Sequence, residues 1–261
     1  MPADAMAEPI APPTRRERQR QATHDEIVEV SRRLLREEES LSLRGVATEM
    51  GITAPALYRY VDSFQELLML VAMSVFGDVL AAMGEARDRH PDEDPAAQIL
   101  ATTVAFRRWA LANPREFALI FANPATSSDG EPPPPDSGPG MFGGFFKDMF
   151  VRLWQRYDFP LPSDDELDPA VAAMLKDPDR ARTLPCDFPG HPFGLTWVFT
   201  QCWGRLYGTV TLEVFRHMEA TIISSGALFR SMLDDNARDL GFGDDWPRLR
   251  ALIEAEMTRP A

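Results

Sequence analysis

The chain has little or none of several features that mark other protein classes. It contains only two Cys in 261 residues, which excludes a disulfide framework. The first 20 residues have no apolar core, so no secretory signal peptide is expected and the cytoplasm is the expected location. Alternating β-branched runs bounded by turn dipeptides are absent, so strands are not expected. Without metal-ligand spacing or a nucleophile motif, we predict no metal site, no cofactor and no catalytic residue.

Lysine is nearly absent, and the cationic charge is almost entirely arginine. The net charge is −13 and the isoelectric point is about 4.8, which argues against a general nucleic-acid coat. Residues 14–62, however, hold nine Arg and nine acidic residues and are therefore neutral. All the net negative charge lies elsewhere, so this segment is the part of the chain best suited to approach DNA.

Apolar residues recur with helical spacing along most of the chain, which predicts an all-α fold. Thr23 and Glu26 have the spacing of a capping box that opens the first helix. Ser42, Thr53 and Ser63 are the predicted caps of the next three helices, and the last of these three is predicted over residues 63–90. Further helices are predicted at residues 95–112, 142–157, 193–218, 224–240 and 246–257, separated by proline-rich breaks.

This pattern predicts three regions. Residues 1–22 are expected to form a disordered tail with an Arg-rich arm. Residues 23–67 are expected to form a three-helix unit, and residues 68–261 are expected to form a larger helical domain.

The second and third predicted helices are separated by a tight turn at Gly51, which is the helix-turn-helix arrangement. The third helix exposes small side chains that allow its backbone to enter the major groove, and Tyr58 and Arg59 extend toward phosphates or base edges. The Arg run just before the first helix is expected to enter the adjacent minor groove as an arm. From these features the predicted DNA contacts are Arg15, Arg16, Arg18, Arg20, Thr53, Ala54, Pro55, Tyr58 and Arg59.

A family pattern runs through residues 41–68. Its matching positions are Ser42, Arg44, Val46, Ala47, Gly51, Ile52, Leu57, Tyr58, Tyr60, Leu67 and Leu68. With them the segment resembles the DNA-binding signature of the TetR family of bacterial transcription regulators. The resemblance implies a homodimeric repressor whose residues 23–67 form the helix-turn-helix DNA-binding domain and bind a near-palindromic operator. It implies that residues 68–261 form the effector-binding and dimerisation domain, and that a small-molecule effector releases the repressor. It also adds Ser42 and Arg44 to the predicted DNA contacts. The sequence departs from the pattern at Phe64, where the family usually has a Lys that contacts the DNA backbone, and Asp62 is also unfavourable near phosphate.

The second half of the chain resembles the family only loosely. Asn113, Pro114 and Phe117, together with residues 202–208, are similar to a subgroup that carries a Trp-x-x-x-His-Gly element. Here the element is Trp203-x-x-x-Tyr207-Gly208, so a role that depends on an imidazole does not carry over.

Aromatic side chains concentrate in the second half, and the helices around them are separated by proline-containing loops. Such a set predicts a pocket for an apolar or aromatic effector, although core packing is the simpler role for any one residue. An effector in this pocket would tilt the helix over residues 63–90 and thereby change the spacing of the recognition helices. The predicted pocket residues are Phe106, Trp109, Phe117, Phe121, Phe146, Met149, Phe150, Trp154, Trp197 and Gln201.

Residues 193–212 contain a single charge, Arg205. We reject a membrane helix because Gln201 and four Thr dilute the apolar run and charged residues follow immediately. A helix that is apolar all round is instead expected to pack on its own core and on a second subunit. The predicted dimer contacts are Gly204, Gly208, Leu212, Phe215, Phe229 and Leu233.

Two alternatives remain open from the sequence. The chain could be a helical small-molecule-binding protein or an enzyme that has lost DNA binding, for which Phe64 and Asp62 are the best support. It could also be an interaction scaffold that offers Pro132–Pro135 as a polyproline ligand. DNA binding separates the regulator hypothesis from both alternatives.

Overall fold

Helices form all the regular structure in the described part of the chain. The computed structural model describes residues 14–37, 41–123, 134–181, 184, 186 and 188–260. No strand occurs among them, and the predicted all-α class is confirmed. The α-helices are α1 (Arg15–Glu37), α2 (Leu43–Glu49), α3 (Ala54–Leu57), α4 (Phe64–Arg87), α5 (Pro95–Ala112), α6 (Pro114–Phe117), α7 (Gly138–Tyr157), α8 (Pro169–Leu175), α9 (Pro178–Ala181), α10 (Phe193–Val214), α11 (Ala220–Ser225), α12 (Ala227–Asp239) and α13 (Trp246–Thr258).

Contacts between residues divide the chain into two units, Met1–Val71 and Ala72–Ala261. The predicted boundary between residues 67 and 68 falls just before this division. Helix α4 begins in the first unit and ends in the second. It contributes fully buried side chains to both, among them Leu67 and Val79.

The first unit is built by packing α1 on α2 and α2 on α3. Its apolar core explains why such short helices are stable, because helices of this length are marginal without tertiary contacts. An ion pair of 2.8 Å between Arg33 Nη2 and Glu49 Oε1 also joins α1 to α2. The buried core side chains are Ile27, Leu34, Val46, Ala47, Leu57, Val61, Leu67, Leu68 and Val71.

The first helix starts earlier than the sequence suggested. It begins at Arg15, and the Thr23 hydroxyl donates to the Gln19 carbonyl within the helix instead of capping its start. Thr14 and Glu17 form the capping box in its place. The predicted disordered tail and the predicted start of the first helix at Thr23 are therefore wrong for residues 15–22, because Arg, Gln and Glu are good helix formers once a cap precedes them. Residues 1–13, the remainder of the predicted tail, lie outside the described residues.

The second unit is organised around α5, which packs against α13, α7 and α10. The Arg107 side chain of α5 is buried, and its Nε donates to Glu213 Oε2 on α10 at 2.6 Å. The same guanidinium donates through Nη2 to Glu213 Oε1 at 3.1 Å and to the Ile223 carbonyl of α11 at 2.9 Å. This bidentate pair therefore ties three helices together inside the core.

Polar contacts hold the start of α5. Asp94 caps the helix by accepting from the Ala97 N–H at 3.1 Å, and its other oxygen accepts from Arg248 Nη1 of α13 at 2.6 Å. Arg248 also binds Asp245 through its Nε at 2.7 Å, and Asp245 accepts from the Tyr157 hydroxyl at 2.6 Å. The loop before α5 is thereby fastened to α13 and to the end of α7.

Helix α7 begins at Gly138 rather than at Phe142, because the Ser137 hydroxyl accepts from the Gly140 N–H at 3.2 Å and caps the helix. A Cβ atom at Gly138 would lie only 2.0 Å from the Phe76 ring, so no larger residue fits there. Residues 124–133 lie outside the described residues, and so does the first half of the predicted polyproline segment.

Helix α4 is also, among the described residues, the one helix long and apolar enough by length and composition to cross a membrane. The mean hydropathy of its most apolar window is 2.0, and 44% of that window is buried inside the protein. A buried core helix passes the same test, and the burial of Val71, Val75 and Val79 explains the apolar composition here.

Candidate DNA-binding surface and effector cavity

The turn between α2 and α3 has helix-turn-helix geometry. The Ser42 hydroxyl caps α2 by accepting from the Gly45 N–H at 3.1 Å. Gly51 adopts φ of 68°, a left-handed conformation that favours glycine, and the Ile52 N–H bonds back to the Ala47 carbonyl at 3.0 Å. The sequence-predicted cap and turn are both confirmed, and they direct α3 away from the axis of α2.

Helix α3 presents one face to the core and the other to solvent. Leu57 is fully buried, which fixes the rotation of this short helix. Tyr58 is half exposed, at 50%, while Arg59 is also exposed. The predicted contact residues Ser42, Arg44, Thr53 and Pro55 are exposed as well, and Ala54 is half-buried. The structure thus brings the predicted α2 and α3 contacts to the surface of one small unit.

The four predicted arginines of the arm, Arg15, Arg16, Arg18 and Arg20, are exposed on the first turns of α1. An α-helix with its side chains is about 10–12 Å wide, whereas the minor groove of B-DNA is about 6 Å wide. A helical segment therefore cannot enter that groove as an extended arm does.

The start of α4 and the residues just before it include Phe64 and Asp62, the two residues that are unfavourable for phosphate contact at the predicted DNA surface. Ser63 and Glu66 form a capping box, in which the Glu66 N–H donates to the Ser63 hydroxyl at 3.0 Å and the Asp62 N–H donates to Glu66 Oε2 at 2.5 Å. Phe64 lies at the first position of the helix and is 41% exposed. Neither the Asp62 carboxylate nor the Phe64 ring offers a cation to phosphate.

A small, partly open cavity lies in the second unit, between helices α5, α7, α10 and α12. Its free space is about 60 Å³. Its lining is largely aromatic and aliphatic and includes no charged side chain. The residues that line it are Ile99, Leu100, Thr103, Phe146, Phe150, Phe199, Cys202, Trp203, Leu206, Leu233, Asn236, Leu240 and Phe242.

Two of the ten predicted pocket residues, Phe146 and Phe150, line this cavity. Phe106 and Phe117 are fully buried in an adjoining aromatic cluster with Phe121, where the ring centroids lie 5.0–6.2 Å apart. The structure therefore places Phe106 and Phe117 in the core, with the half-buried Phe121 packed against them, rather than around open space. Trp109 and Met149 are also buried and do not line the cavity. Trp154 packs edge-on against His191, and Trp197 packs against the cluster that contains Leu167 and Leu175. Gln201 is exposed.

The sequence analysis did not predict most of the cavity-lining residues that α10 and α12 contribute. On α10 the lining residues recur at positions 199, 202, 203 and 206, a helical spacing that fits a subunit contact as well as it fits a cavity wall. On α12 they recur at positions 233, 236 and 240. The sequence signal that could have indicated the cavity is Asn236, a polar residue within an apolar helical stripe.

The predicted dimer contacts divide into two groups. Gly204 and Leu212 are exposed on α10, and Gly208 and Phe215 are partly exposed. Cβ atoms added at either glycine would meet no neighbouring atom within 4 Å. Phe229 and Leu233, by contrast, are buried at 0% and 3% exposure in the protomer core, so these two predicted contacts are wrong.

The Trp203-x-x-x-Tyr207 element forms a stack in which the two ring centroids lie 5.8 Å apart at 22°. The Tyr207 hydroxyl donates to the Phe121 carbonyl at 2.7 Å. Phe121 belongs to a π-helical turn, Ala118–Ala122, that follows α6. In this chain the tyrosine therefore anchors an irregular turn, a role that does not need an imidazole.

Among the described residues, no three His, Cys, Asp or Glu side chains come together as a metal site would require. A capped helix pair with a glycine turn, braced by a longer helix and exposing the second helix, is the arrangement found in helix-turn-helix DNA-binding proteins.

Comparisons with known proteins agree with this class. The sequence model described as "Tetracyclin repressor-like, C-terminal domain" matches residues 99–236. Two HTH-type transcriptional regulators, Mb1846 of Mycobacterium bovis and Rv1816 of Mycobacterium tuberculosis, are each 31% identical over 217 residues, covering 80% of this chain and 88% of theirs. A solved structure of a regulatory protein, SCO4313, has a similar fold, with a TM-score of 0.58 at 22% identity over 85% of this chain and 98% of that one.

The chain belongs to the TetR family, and it is a DNA-binding transcription regulator rather than an enzyme. The resemblance carried by residues 41–68 is thereby confirmed, as is the prediction that the chain is not an enzyme.

Proposed function

We propose that this protein is a cytoplasmic, homodimeric repressor that binds a near-palindromic operator and is released by a small apolar or aromatic effector. The observation that carries the proposal is the exposed α3 face, which Leu57 orients and Tyr58 and Arg59 complete. Two such helices in a dimer would enter successive major grooves, about 34–36 Å apart.

Dimerisation is supported by α10. Its exposed positions at Gly204 and Leu212 form a surface of low charge on an otherwise acidic protein. Glycines at such a surface allow close approach of a second helix. A partner helix from another subunit would cover this surface across a two-fold axis.

Effector binding is supported by the cavity between α5, α7, α10 and α12. Helix α4 supplies core residues to both units, so a change in the second unit has a covalent route to the first. A coupling of about 1–3 kcal/mol between effector and operator binding is sufficient for regulation.

The test is selection of a randomised duplex pool on the purified full-length protein at low salt, followed by sequencing. We expect enrichment of a two-fold symmetric motif with half-sites about one helical turn apart. Binding to that duplex is then measured with and without candidate effectors. Absence of enrichment from a folded, dimeric protein would contradict the proposal.

A second candidate function follows from one observation. Exposed Phe64 and Asp62 replace cationic character at the start of α4 with an apolar ring and a carboxylate. If DNA binding has been lost, the protein would act as a helical small-molecule-binding protein, and the same selection would show no enriched motif.

A further inference from the structure

We infer that the cavity selects an uncharged aromatic ligand carrying a hydrogen-bond acceptor, and that the Asn236 side-chain amide recognises that acceptor. This inference rests on the proposed function, because it assigns a chemical class to the effector of the same cavity. It also assigns a specificity-determining role to a residue that no motif identifies.

The lining excludes charged ligands. None of its residues is Asp, Glu, Lys, Arg or His. Its one thiol, Cys202, stays neutral, because burial raises the pKa of that group to about 12. An ionised ligand would therefore lose its hydration without meeting a group of opposite charge.

Aromatic rings form much of the wall. Phe150 and Phe199 meet edge to face with ring centroids 5.2 Å apart, and Phe146 lies 6.1 Å from Phe199. Trp203 and Phe242 also line the cavity. A flat aromatic ligand makes the same edge-to-face and offset contacts that these rings make with each other.

Asn236 supplies a donor whose orientation is fixed. Its Oδ1 accepts from Arg205 Nη1 at 2.9 Å, and a guanidinium can only donate, so the amide oxygen faces Arg205. Arg205 is itself held by Asp239 Oδ2 at 2.5 Å. The carbonyl end of the amide is therefore already occupied before any ligand binds.

The nitrogen end of the amide is poorly satisfied. Asn236 Nδ2 donates only to the thioether sulfur of Met232, at 3.2 Å, and thioethers are weak acceptors. An amide nitrogen carries two hydrogens, so one has no acceptor among the described residues. The Thr103 hydroxyl, in contrast, already donates to the Ile99 carbonyl at 2.7 Å. A ligand carbonyl or ether oxygen would complete the hydrogen bonding of Asn236.

The cavity has to expand when a ligand enters. An apolar cavity that binds benzene is on the order of 150 Å³, whereas this one is about 60 Å³. Its walls belong to four helices, so expansion displaces side chains on α10 and α12. Ligand size is therefore linked to movement of the helices that line the cavity.

The experiment uses equilibrium dialysis of the full-length protein with three probes of nearly the same shape: acetylnaphthalene, ethylnaphthalene and naphthoate, substituted at the same ring position. We expect acetylnaphthalene to bind about two- to tenfold more tightly than ethylnaphthalene, the range that one net hydrogen bond supplies. Naphthoate should show no detectable binding. Asn236→Leu should remove the preference for the ketone, so that acetylnaphthalene and ethylnaphthalene bind with equal affinity.

The matched control is Gln155→Leu, which removes an exposed amide from α7 outside the cavity. It should leave all three affinities unchanged.

If Asn236→Leu does not fold, Asn236→Asp serves instead, because it retains an acceptor for Arg205 and removes the N–H donor. That variant should also lose the preference for the ketone.

Several outcomes would overturn the inference: equal affinity for ketone and hydrocarbon, a preference that survives in the Asn236 variants, measurable binding of naphthoate, or no binding of any probe. These failures are distinct from failure of the proposed function. The operator selection tests that function separately, and an enriched operator together with any of these results would remove only the assignment of ligand class and of Asn236.

Discussion

Thr14 and Glu17 cap the same helix reciprocally: the Thr14 N–H donates to Glu17 Oε2 at 2.6 Å, and the Glu17 N–H donates to the Thr14 hydroxyl at 3.3 Å. Hydrogen bonds from the Thr14 backbone and then from its side chain hold the pKa of Glu17 below its usual value. This pair decides that the Arg-rich segment is helical.

The first prediction concerns that cap. Thr14→Ala should increase amide hydrogen exchange severalfold over residues 15–20, because the first turn loses its side-chain acceptor. Thr23→Ala is the matched control, since Thr23 lies inside the helix and does not cap it. Equal protection in wild type and Thr14→Ala would show that another contact orders this turn.

The second prediction concerns DNA recognition. Tyr58→Ala and Arg59→Ala should each lower affinity for the selected operator by at least about tenfold, because both side chains are exposed beside α3 and we propose that they contact phosphates or bases. Fluorescence anisotropy measures the affinity, and sedimentation should show an unchanged dimer. Lys176→Ala removes an exposed cation from the second unit as a control. Loss of the dimer in either α3 variant would refute the assignment of the first unit.

The third prediction concerns the arginines at the start of α1. Replacing Arg15, Arg16, Arg18 and Arg20 with Gln should flatten the dependence of log affinity on log salt by about 0.9 for each phosphate that is no longer neutralised. Gln retains helix propensity, so the change removes charge rather than structure. The salt slope is measured from binding titrations at several salt concentrations. An unchanged slope would mean that these arginines do not touch DNA.

The fourth prediction concerns the buried ion pair. Glu213→Ala should lower the free energy of unfolding by about 3–5 kcal/mol, because it leaves Arg107 charged and buried without its partner. Urea denaturation monitored by circular dichroism measures the decrease. The control is Glu254→Ala, which breaks the more exposed pair with Arg230 and should cost about 0–1 kcal/mol. Similar decreases in the two variants would argue against a special role for burial.

The fifth prediction concerns pH. Hydrogen bonds from Arg248, and then from Tyr157, lower the pKa of Asp245 to about 2 from its usual 3.8. Because the folded-state pKa is the lower one, this stabilisation is present above about pH 4 and is lost as the pH falls toward about 2. The difference in urea midpoint between wild type and Asp245→Asn should therefore shrink over that interval. A constant difference would contradict the assignment.

The matched control for the pH series is Asp244→Asn, which removes an exposed neighbouring carboxylate that contacts neither Arg248 nor Tyr157. The same hydrogen bonds also make the free energy of unfolding depend on pH in the alkaline range. Burial, and then the hydrogen bond to Asp245, raises the pKa of Tyr157 to about 12 from 10.0, so its contribution is present below about pH 10 and is lost as the pH rises toward 12.

Local signals in the sequence were sufficient for much of the first unit. The Ser42 cap and the Gly51 turn depend on neighbours a few residues away, and both are as predicted. The predicted start of α1 was wrong, and the reason is also local. The spacing Thr-x-x-Glu occurs twice, at Thr14 and at Thr23, and apolar periodicity favours the second although the first is the one that caps.

The effector cavity could not be predicted to the same degree. A helical stripe of aromatic residues has the same pattern whether its rings fill a core, as Phe106 and Phe117 do, or surround a space, as Phe146 and Phe150 do. The distinction depends on how closely helices from distant parts of the chain approach each other. For the same reason, Phe229 and Leu233 were predicted on a subunit surface and lie in the core.

By itself, the amino-acid sequence determined the helical class, the helix-turn-helix and the family, because caps, turns and apolar periodicity act within one or two helical turns. Only the tertiary structure decided which side chains face the core, which line the cavity and which remain on the surface. Those outcomes depend on contacts such as Arg107 with Glu213 and Arg205 with Asn236, whose partners are 106 and 31 residues apart and meet only when the helices pack.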